Sequence, residues 1–566
     1  IEYTTAAVQE ATARADGEGW EKTLSIPMNV VASTDTYVTL TGNEDGSGLH
    51  EIVNYTYRDG FYDGVQKQFR GFETVQKEIL SSDSQEGGIT VMTYNLGKEE
   101  PHMNGLLLKE TVMSGDRVIK EDTNTYETCA LSQVPSPSTL IAQGRFGIYY
   151  PCMTSMTSVI QEGAAQADWV TTMIDYEYDG YGNTRRATNH GVVGRDGDES
   201  YSEIQWYEPG DGSKWFLRLP LVENEWNIGD GSVKTETQYY YDGSAYVGQQ
   251  DDITTGFLSR KTVKADDTTT LDVLRQRSDR HGNVIESIDP NGTIADDTTH
   301  RRRYIYDDLG LFLTYLDIHI SEDHVLRRST QYEYDFQNLV DVTDWVLVQN
   351  GQEVTGRNER HYEYDDFGRM TEEYRAGDGD ATPTMQYAYE LGKPFSRIIV
   401  RGRSERNGPV DQEFYRCLDG LGRLYQTRTR TATGKYLVTG FEVFNSRGAS
   451  VETFQPYTSN TGECESERPA GVLSSLKKYD ALFRQIEVSE PGEDLYGERL
   501  VSTTTYAPLK ETLHDFEDLD ADSPHFETPF HKHLDGLGRV VAMERVLAGG
   551  SSAIYELHYD ETGSFS

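Results

Sequence analysis

Few residues of this sequence have the type and spacing that metal binding requires. His531 and His533 are two residues apart, so in a strand both imidazoles would lie on one face and offer two nitrogen ligands. Asp242, Asp251 and Asp252 offer the oxygen ligands that calcium prefers, but not in the order of a twelve-residue calcium loop. A satisfied or exposed histidine pair and solvated carboxylates are the commoner outcome. We therefore expect no metal and no cofactor.

Motifs of catalysis are equally sparse. The sequence contains no Ser nucleophile elbow and no Gly-rich phosphate loop followed by Lys. Its 94 acidic residues and 13 histidines guarantee chance pairings, so only groups that converge in space would indicate a reaction. We predict that the chain has no catalytic residues and is not an enzyme.

Charge and hydropathy exclude two classes of partner. The 52 basic and 94 acidic residues give a formal charge of −42, which repels nucleic acid phosphates and anionic membrane surfaces. No stretch approaches the roughly 18 apolar residues of a membrane span, so we expect no nucleic acid partner and no membrane insertion. The sequence opens at Ile1 without an initiator Met, and we expect a fragment or processed piece.

Four cysteines, Cys129, Cys152, Cys417 and Cys464, are scattered along the chain, and none forms a C-x-x-C pair. Their number and spacing predict no disulfide framework for a chain of this length. The sequence leaves open whether Cys129 and Cys152 pair.

A repeated sequence motif indicates which strands and turns would position any site. An Asp ends an alternating, strand-like segment, and a Gly follows three residues later. Clear copies are Tyr178, Asp179 and Gly182; Tyr306, Asp307 and Gly310; Tyr364, Asp365 and Gly368; Asp419 and Gly422; and Asp535 and Gly538. Weaker copies are at Asp279 with Gly282, Tyr334 with Asp335, Asn445 with Gly448, Tyr479 with Asp480, and Asp560 with Gly563.

The copies recur at a nearly constant period. Asp279, Asp307, Asp335 and Asp365 are 28, 28 and 30 residues apart. Asp365 to Asp419 is 54 residues, or two periods with a degenerate unit between them, and Asp480 to Asp535 is 55. Periods of this length are typical of stacked supersecondary units.

Each unit has the chemistry of a β-hairpin. Asp accepts backbone N–H bonds in a tight turn, and Gly supplies a positive φ before the next strand begins. Tyr304 with Tyr306, and Tyr362 with Tyr364, are spaced by two, so both rings of each pair lie on one strand face. The opposite face is mainly polar. We predict an all-β fold of hairpins stacked into a curved, spiralling antiparallel sheet, one layer thick.

The repeated Tyr-Asp-x-x-Gly-Arg/Asn pattern over about residues 170–566 resembles the RHS or YD repeats of bacterial polymorphic toxins, insecticidal toxin complexes and teneurins. A second resemblance narrows the choice. YTYRDGFYDG (residues 55–64) and FRGF (69–72) look like the segment that precedes the repeats in the B component of Tc toxins. The resemblance implies two regions, a β-rich segment at 1–170 similar to the Tc toxin B middle region and an RHS/YD-repeat shell at 171–566.

The same resemblance implies a function and partners. The chain would be a secreted, non-catalytic wall segment that encapsulates a toxic C-terminal cargo, completed by a C-component-like protein. A pore-forming A component would dock through flanking regions. The aspartate-protease-like core that ends the family's shell is missing, and Asp289-Pro290-Asn291-Gly292, which has similar letters, is interpreted as a plain turn.

An extracellular carbohydrate-binding or cell-adhesion YD-repeat module is the alternative function. Trp206, Trp215 and Trp226 offer aromatic rings that stack on sugars, although aromatic packing within the sheet is the commoner role. Exposed rings beside hydrogen-bonding groups would favour the glycan-binding hypothesis, and rings covered by neighbouring strands would favour the hypothesis of a structural wall segment.

Overall fold

The computed structural model describes residues 1–21, 23–24, 26–37, 50–82, 84–134, 136–142, 147–209, 216–227, 233–243, 245–264, 269–291, 300–356, 358–379, 382–392, 395–445, 447–467, 469–492 and 498–559. Strands make up 55% of the protein and helices 5%, so the predicted all-β class is confirmed.

The strands of the first half run from the amino terminus to Glu353. They are β1 (Glu2–Thr5), β2 (Asn29–Tyr37), β3 (His50–Asp63), β4 (Gln68–Ile79), β5 (Gly88–Asn95), β6 (Leu106–Ser114), β7 (Arg117–Thr128), β8 (Pro151–Ile160), β9 (Val170–Tyr178), β10 (Thr184–Val192), β11 (Ser200–Trp206), β12 (Pro220–Asn227), β13 (Val233–Tyr241), β14 (Leu258–Lys264), β15 (Thr270–Ser278), β16 (Val284–Ile288), β17 (Arg301–Tyr306), β18 (Leu313–His319), β19 (His324–Tyr332), β20 (Leu339–Thr343), β21 (Val346–Gln349) and β22 (Gln352–Glu353).

The second half continues in the same way with shorter strands. They are β23 (Glu359–Tyr364), β24 (Met370–Tyr374), β25 (Met385–Glu390), β26 (Ser396–Gly402), β27 (Gln412–Leu418), β28 (Leu424–Arg430), β29 (Tyr436–Thr439), β30 (Glu442–Phe444), β31 (Ser450–Phe454), β32 (Tyr457–Ser459), β33 (Ser474–Tyr479), β34 (Gln485–Pro491), β35 (Glu498–Ala507), β36 (Lys510–His514), β37 (Phe530–Leu534), β38 (Val540–Val546) and β39 (Ser552–Glu556). In the described part of the chain, three short α-helices lie in the connections: α1 (Ala6–Ala15), α2 (Pro137–Ala142) and α3 (Phe516–Leu519).

Nearly every strand pairs with its neighbours in the chain, and the strand pairs are antiparallel. β1 to β19 form one continuous meander, β20 pairs with β19 and β23, and the meander then runs on to β29. β29 next pairs with β32, which completes a sheet of 30 strands that is not closed into a barrel. Side chains that alternate between the two faces of each strand, joined by short turns, favour pairing of consecutive strands over crossover connections. The predicted antiparallel sheet is confirmed.

The chain changes sheet after β29. β30 and β31 begin a second sheet of nine strands, β30, β31 and β33 to β39, also antiparallel. The largest buried cluster lies at this junction and contains Cys417, Tyr425, Phe441, Val443, Val451, Phe454 and Cys464. A corner between two sheets needs such a core because the strands there lose their lateral neighbours.

Disulfides reinforce the structure at two places. Cys129 bonds to Cys152 across the β7–β8 connection, and Cys417 bonds to Cys464 inside the corner cluster, with Cα atoms 5.4 and 5.9 Å apart. The prediction of no disulfide framework is therefore wrong. The partners are 23 and 47 residues apart in sequence, and only the pairing of strands brings them together.

Candidate functional site

The aspartate carboxylate closes each repeat turn. At the β23–β24 turn, the Asp365 N–H donates to the Arg369 carbonyl and the Gly368 N–H donates to the Asp365 carbonyl, both at 2.9 Å. Asp365 Oδ1 accepts from the backbone N–H groups of Phe367 and Arg369 at 3.0 Å each. Asp365 Oδ2 accepts from Arg369 Nε at 2.8 Å. The carboxylate thus satisfies three donors, and the Arg369 hydrogen bonds lower the pKa of Asp365.

The same arrangement recurs along the chain. The ion pair from Arg Nε to Asp Oδ2 measures 2.7 Å at Asp419–Arg423, Asp480–Arg484 and Asp535–Arg539. Asp179 bonds Asn183 Nδ2 at 2.9 Å instead of an arginine. The Asp307 turn is one residue longer, and Asp307 Oδ1 accepts from Leu311 and Phe312.

The glycines of the turns have left-handed backbones. The φ values are 90° at Gly182, 70° at Gly310, 74° at Gly368, 80° at Gly422 and 78° at Gly538. Only glycine adopts this conformation without a Cβ penalty.

Each tyrosine before the turn bonds back to the preceding unit. The hydroxyls of Tyr178, Tyr306 and Tyr364 donate to strand carbonyls 22 to 25 residues earlier in the chain, at 2.8, 3.3 and 2.7 Å. Burial raises the pKa of Tyr178 and of Tyr364, so both hydroxyls remain protonated donors at physiological pH.

The arginine of each turn contacts the next repeat unit in the chain. Its guanidinium stacks over the aromatic ring of the next unit, with distances to the ring centroid of 4.6 Å for Arg369 over Tyr389, 4.6 Å for Arg423 over Phe444, 3.8 Å for Arg484 over Tyr506, and 4.7 Å for Arg539 over Tyr559. Cation–π contacts of this kind contribute about 0.5–2 kcal/mol each. The sequence pattern contains these arginines but gives no sign of their aromatic partners.

Tyr389 and Tyr506 identify the degenerate units. Each has lost the aspartate but keeps the tyrosine, whose hydroxyl donates to the Met370 carbonyl at 2.8 Å and to the Gln485 carbonyl at 3.2 Å, respectively. The stacking surface is thus retained in units that lack the turn aspartate.

One turn differs from the sequence interpretation. Glu333, not Asp335, is the turn carboxylate after β19, and it accepts from the N–H groups of Asp335, Phe336 and Asn338. The unit is therefore Tyr332-Glu333, shifted by two residues from the predicted Tyr334-Asp335 copy. Of the last weak copy, Asp560 and Gly563 lie outside the described residues.

Asp242, a candidate calcium ligand, is the carboxylate of a further turn. It follows Tyr241, whose hydroxyl donates to the Pro220 carbonyl at 2.8 Å. Its oxygens accept from Thr254, Thr255, Gly256 and Phe257, which lie beyond an inserted loop. Burial opposes ionisation, but these bonds outweigh it and lower the pKa of Asp242 to about 2.

The two candidate histidines and two of the three candidate tryptophans have structural partners. His531 Nδ1 is 3.0 Å from the Thr512 hydroxyl, and His533 Nε2 is 3.0 Å from Glu544. Trp206 Nε1 donates to the Thr184 carbonyl at 2.8 Å, and Trp226 stacks on Tyr201 with ring centroids 5.6 Å apart. Trp215 and Gly292 lie outside the described residues. Within the described ranges, no three His, Cys, Asp or Glu side chains are grouped to hold a metal ion.

The Tyr-Asp turns form one edge of the meander, here called the motif edge, and the intervening connections form the opposite loop edge. The motif edge of the second sheet rests on the loop edge of the first. Tyr479 and the segment Ser84–Glu86 exchange backbone hydrogen bonds of 2.9 and 3.0 Å, and Asn445 Nδ2 donates to Gln85 Oε1 at 3.0 Å. We call this contact the seam.

Two further turns extend the seam with charged contacts. Arg484 donates both Nη atoms to the carboxylate of Glu162, at 2.8 and 2.9 Å, and the Glu162 side chain is only 7% exposed. The Gly536 N–H donates to Asp198 Oδ2 at 2.7 Å. The side-chain contacts of the seam join residues 360, 322 and 338 positions apart, so the second sheet meets the edge of the first after that length of chain.

Comparison with known proteins finds one family match in sequence. Residues 1–102 match the family model for the insecticide toxin TcdB middle/N-terminal region. No curated protein matches the chain in sequence. No helix of the described part is long and apolar enough to cross a membrane.

Solved structures match over the whole chain. The crystal structure of TcdB2–TccC3 has a TM-score of 0.77 at 13% identity, and covers 100% of this chain and 36% of its own. The same complex without its hypervariable C-terminal region has a TM-score of 0.78 at 12% identity, covering 100% and 38%. The Photorhabdus luminescens Tc holotoxin pore also scores 0.78 at 12% identity, with the same coverage. The chain thus spans little more than a third of these chains and has their fold.

Proposed function

We propose that this Tc toxin B-component-like chain is a non-catalytic wall segment of a secreted protein shell that encloses a toxic cargo. The predicted likeness to the B component is confirmed by the match of residues 1–102 and by the shared fold. We further propose that residues 1–170 lead into the wall and that residues 171–566 form its repeat-built part.

The observation that carries the proposal is the seam. Because the second sheet meets the edge of the first through Asn445, Arg484 and Gly536, the two sheets continue each other edge to edge instead of packing face to face, as successive parts of a wall would. Most side chains on both faces of the strands are only half-buried, as expected for a single layer with solvent or a guest chain on either side. Such a wall would exclude proteases and keep an unfolded guest from aggregating.

The partners follow from the relatives. The matched structures contain TcdB2 with TccC3, and one is a holotoxin pore. We propose that a C-component-like protein completes the shell and supplies the cargo, and that a pore-forming A component receives it. A sugar-binding role is not advanced, because the rings of Trp226 and Tyr201 stack on each other and the Trp206 N–H is bonded within the sheet.

The test is the shape of the purified chain by electron microscopy and small-angle scattering, alone and mixed with a C component from the same source. An open curved wall that becomes a hollow particle on mixing supports the proposal. A compact solid particle that ignores the C component refutes it. The variant Glu162→Ala is the matched comparison, because it removes a seam contact and leaves the Asp480–Arg484 turn bond in place, and it should widen the particle without changing its strand content.

A further inference from the structure

A cavity opens in the first sheet where β18 and β19 diverge. The two strands pair from His319–Val325 to Tyr315–Ser329, and beyond that point β19 pairs with β20 instead. The cavity measures about 630 Å³, which is within the range of ligand pockets. Residues of β18 and of β19 line it, so the diverging strands themselves create the space.

Aromatic rings and carboxylates line this cavity together. Tyr332 stacks on Phe312 with ring centroids 5.0 Å apart, and Tyr334 meets Phe312 edge-on at 5.2 Å. The carboxylates are those of Asp307, Asp308, Asp341 and Glu359. None of the lining residues, all of which belong to the described ranges, is a lysine or an arginine. Such a lining attracts cations, because the negative face of an aromatic ring and the charge of a carboxylate act in the same direction.

Comparison with a later repeat unit shows which group the cavity lacks. At the Asp365 turn, Arg369 bonds the turn carboxylate and stacks on the ring of the next unit. The Asp307 N–H donates to the Phe312 carbonyl, so Phe312 occupies the position that Arg369 has in its own turn. Asp307 Oδ2 accepts from the neutral hydroxyl of Tyr334 instead of a guanidinium. The Asp307 unit therefore keeps the carboxylate and the rings of an arginine site but has no cation of its own.

A second cavity continues the first one across β23 and β24. It measures about 450 Å³ and shares Asp341 and Glu359 with the first, so the two form one groove. It adds two further carboxylates, those of Glu363 and Asp378. Its own basic groups already have acidic partners. His361 Nδ1 is 2.7 Å from Asp341, and Arg375 Nε donates to a glutamate at 3.1 Å. The groove thus carries an excess of negative charge.

We propose that this groove, from the Asp307 turn to Asp378, binds an extended basic segment of a partner polypeptide, with an arginine side chain in the aromatic cavity. A guanidinium there stacks on a tyrosine ring and pairs with a carboxylate, as the turn arginines do within the chain. Asp308 is exposed, and Glu359 has no hydrogen bond or ion pair among the described residues, so both carboxylates are available to the flanking positive charges. An acidic segment would be repelled. The inference does not depend on the proposed shell, because it concerns binding at one groove of the first sheet.

Binding of a fluorescent peptide of alternating arginine and glycine tests the proposal, measured by anisotropy at physiological salt on the full chain. A peptide with serine in place of arginine should not bind. Asp308→Asn combined with Glu359→Gln should weaken the arginine peptide at least about fivefold, since two carboxylate contacts are lost. Glu99→Gln combined with Asp116→Asn is the matched control. It removes the same charge from exposed positions outside the groove, and should change the affinity by less than about twofold because salt screens distant charges.

Hydroxyl-radical footprinting locates the peptide on the unchanged protein and needs no variant to fold. Tyr334 and Tyr315 line the cavity and are 56% and 38% exposed. The arginine peptide should protect both rings from modification at least about twofold. Tyr555, which is 70% exposed on β39, is the internal reference and should be modified equally with and without peptide.

Three results would overturn the inference. Equal weakening by the two double variants would show a general attraction to an acidic protein. Binding without protection of Tyr334 would place the peptide elsewhere on the surface. Displacement of the peptide by spermine at the same concentration of positive charge would assign the groove to small organic cations instead of a polypeptide.

Discussion

Removing one turn carboxylate tests how the repeat is held together. Asp535 is 2% exposed, and its carboxylate accepts from the Leu537 N–H at 3.0 Å, the Arg539 N–H at 2.9 Å and Arg539 Nε at 2.7 Å. Asp535→Ala leaves these donors without an acceptor in a space that water enters poorly. Asp535→Asn keeps one carbonyl oxygen for the two backbone donors, as Asn445 does naturally for Arg447 and Ala449.

The magnitudes follow from these contacts. A buried donor left unpaired costs about 1–3 kcal/mol, and breaking a buried ion pair costs about 3–5 kcal/mol. The Arg539 side chain is 26% exposed and can partly rehydrate, so we expect about 3 kcal/mol for Asp535→Ala. Asp535→Asn loses the charge but keeps both backbone bonds, and we expect about 1 kcal/mol.

Hydrogen–deuterium exchange measures the effect locally, which matters because a chain of this length need not unfold in one step. A loss of about 3 kcal/mol corresponds to exchange roughly 100-fold faster in residues 530–546. Asp366→Ala is the matched control, since Asp366 is an exposed turn aspartate beside Asp365, and it should change stability by less than about 0.5 kcal/mol. Equal exchange in Asp535→Ala and Asp535→Asn would refute the reasoning.

Further predictions concern the turns, the disulfide and acid. Gly368→Val places a β-branched residue at φ 74° and should lower the free energy of unfolding by at least about 1–2 kcal/mol, measured by thermal melting. Gly420→Ala, with open space and no positive φ, should leave the free energy of unfolding unchanged. Replacing Cys417 and Cys464 by Ser should cost about 4 kcal/mol by the loop-entropy argument, and reductant should lower the melting temperature of that variant less than that of the unchanged protein, because only the Cys129–Cys152 bond remains. The pKa of Asp242 is lowered from 3.8 to about 2 in the folded state, so its stabilisation is complete above about pH 4 and lost towards pH 2; the difference in melting temperature between the unchanged protein and Asp242→Asn should be constant from pH 7 to 5 and shrink only below pH 4.

The architecture could be predicted from sequence because its signals are local. The 28-residue period, the Asp–Gly spacing and tyrosines two apart describe a hairpin within one unit, and antiparallel stacking of such hairpins follows. The sequence did not indicate that Asp242 closes a repeat turn, because an inserted loop separates it from the donors of its hydrogen bonds, Thr254 to Phe257. The Glu333 turn was assigned wrongly because the sequence offers an apparent Tyr-Asp copy at Tyr334 and Asp335. The acceptor of the turn is a glutamate two residues before that aspartate.

Contacts between units were beyond sequence reasoning for a different reason. Arg369 meets Tyr389, and Arg484 meets Tyr506, only because the strand register sets one unit beside the next. The seam and the disulfides depend on where the chain returns in space. The Arg484–Glu162 pair spans 322 residues, and nothing in the spacing of either residue indicates the other.

The distribution of contacts explains how so long a chain folds with little core. Buried clusters lie mainly at the sheet corner and at two other places, while each Tyr-Asp unit is held by hydrogen bonds and stacking to the unit before and after it. Stability of such an array is a sum of nearest-neighbour terms, so length adds stability without a larger core. The seam is different, because it joins distant units and fixes the circumference of the winding. Damage to the repeats and damage to the seam should therefore be separable in experiment.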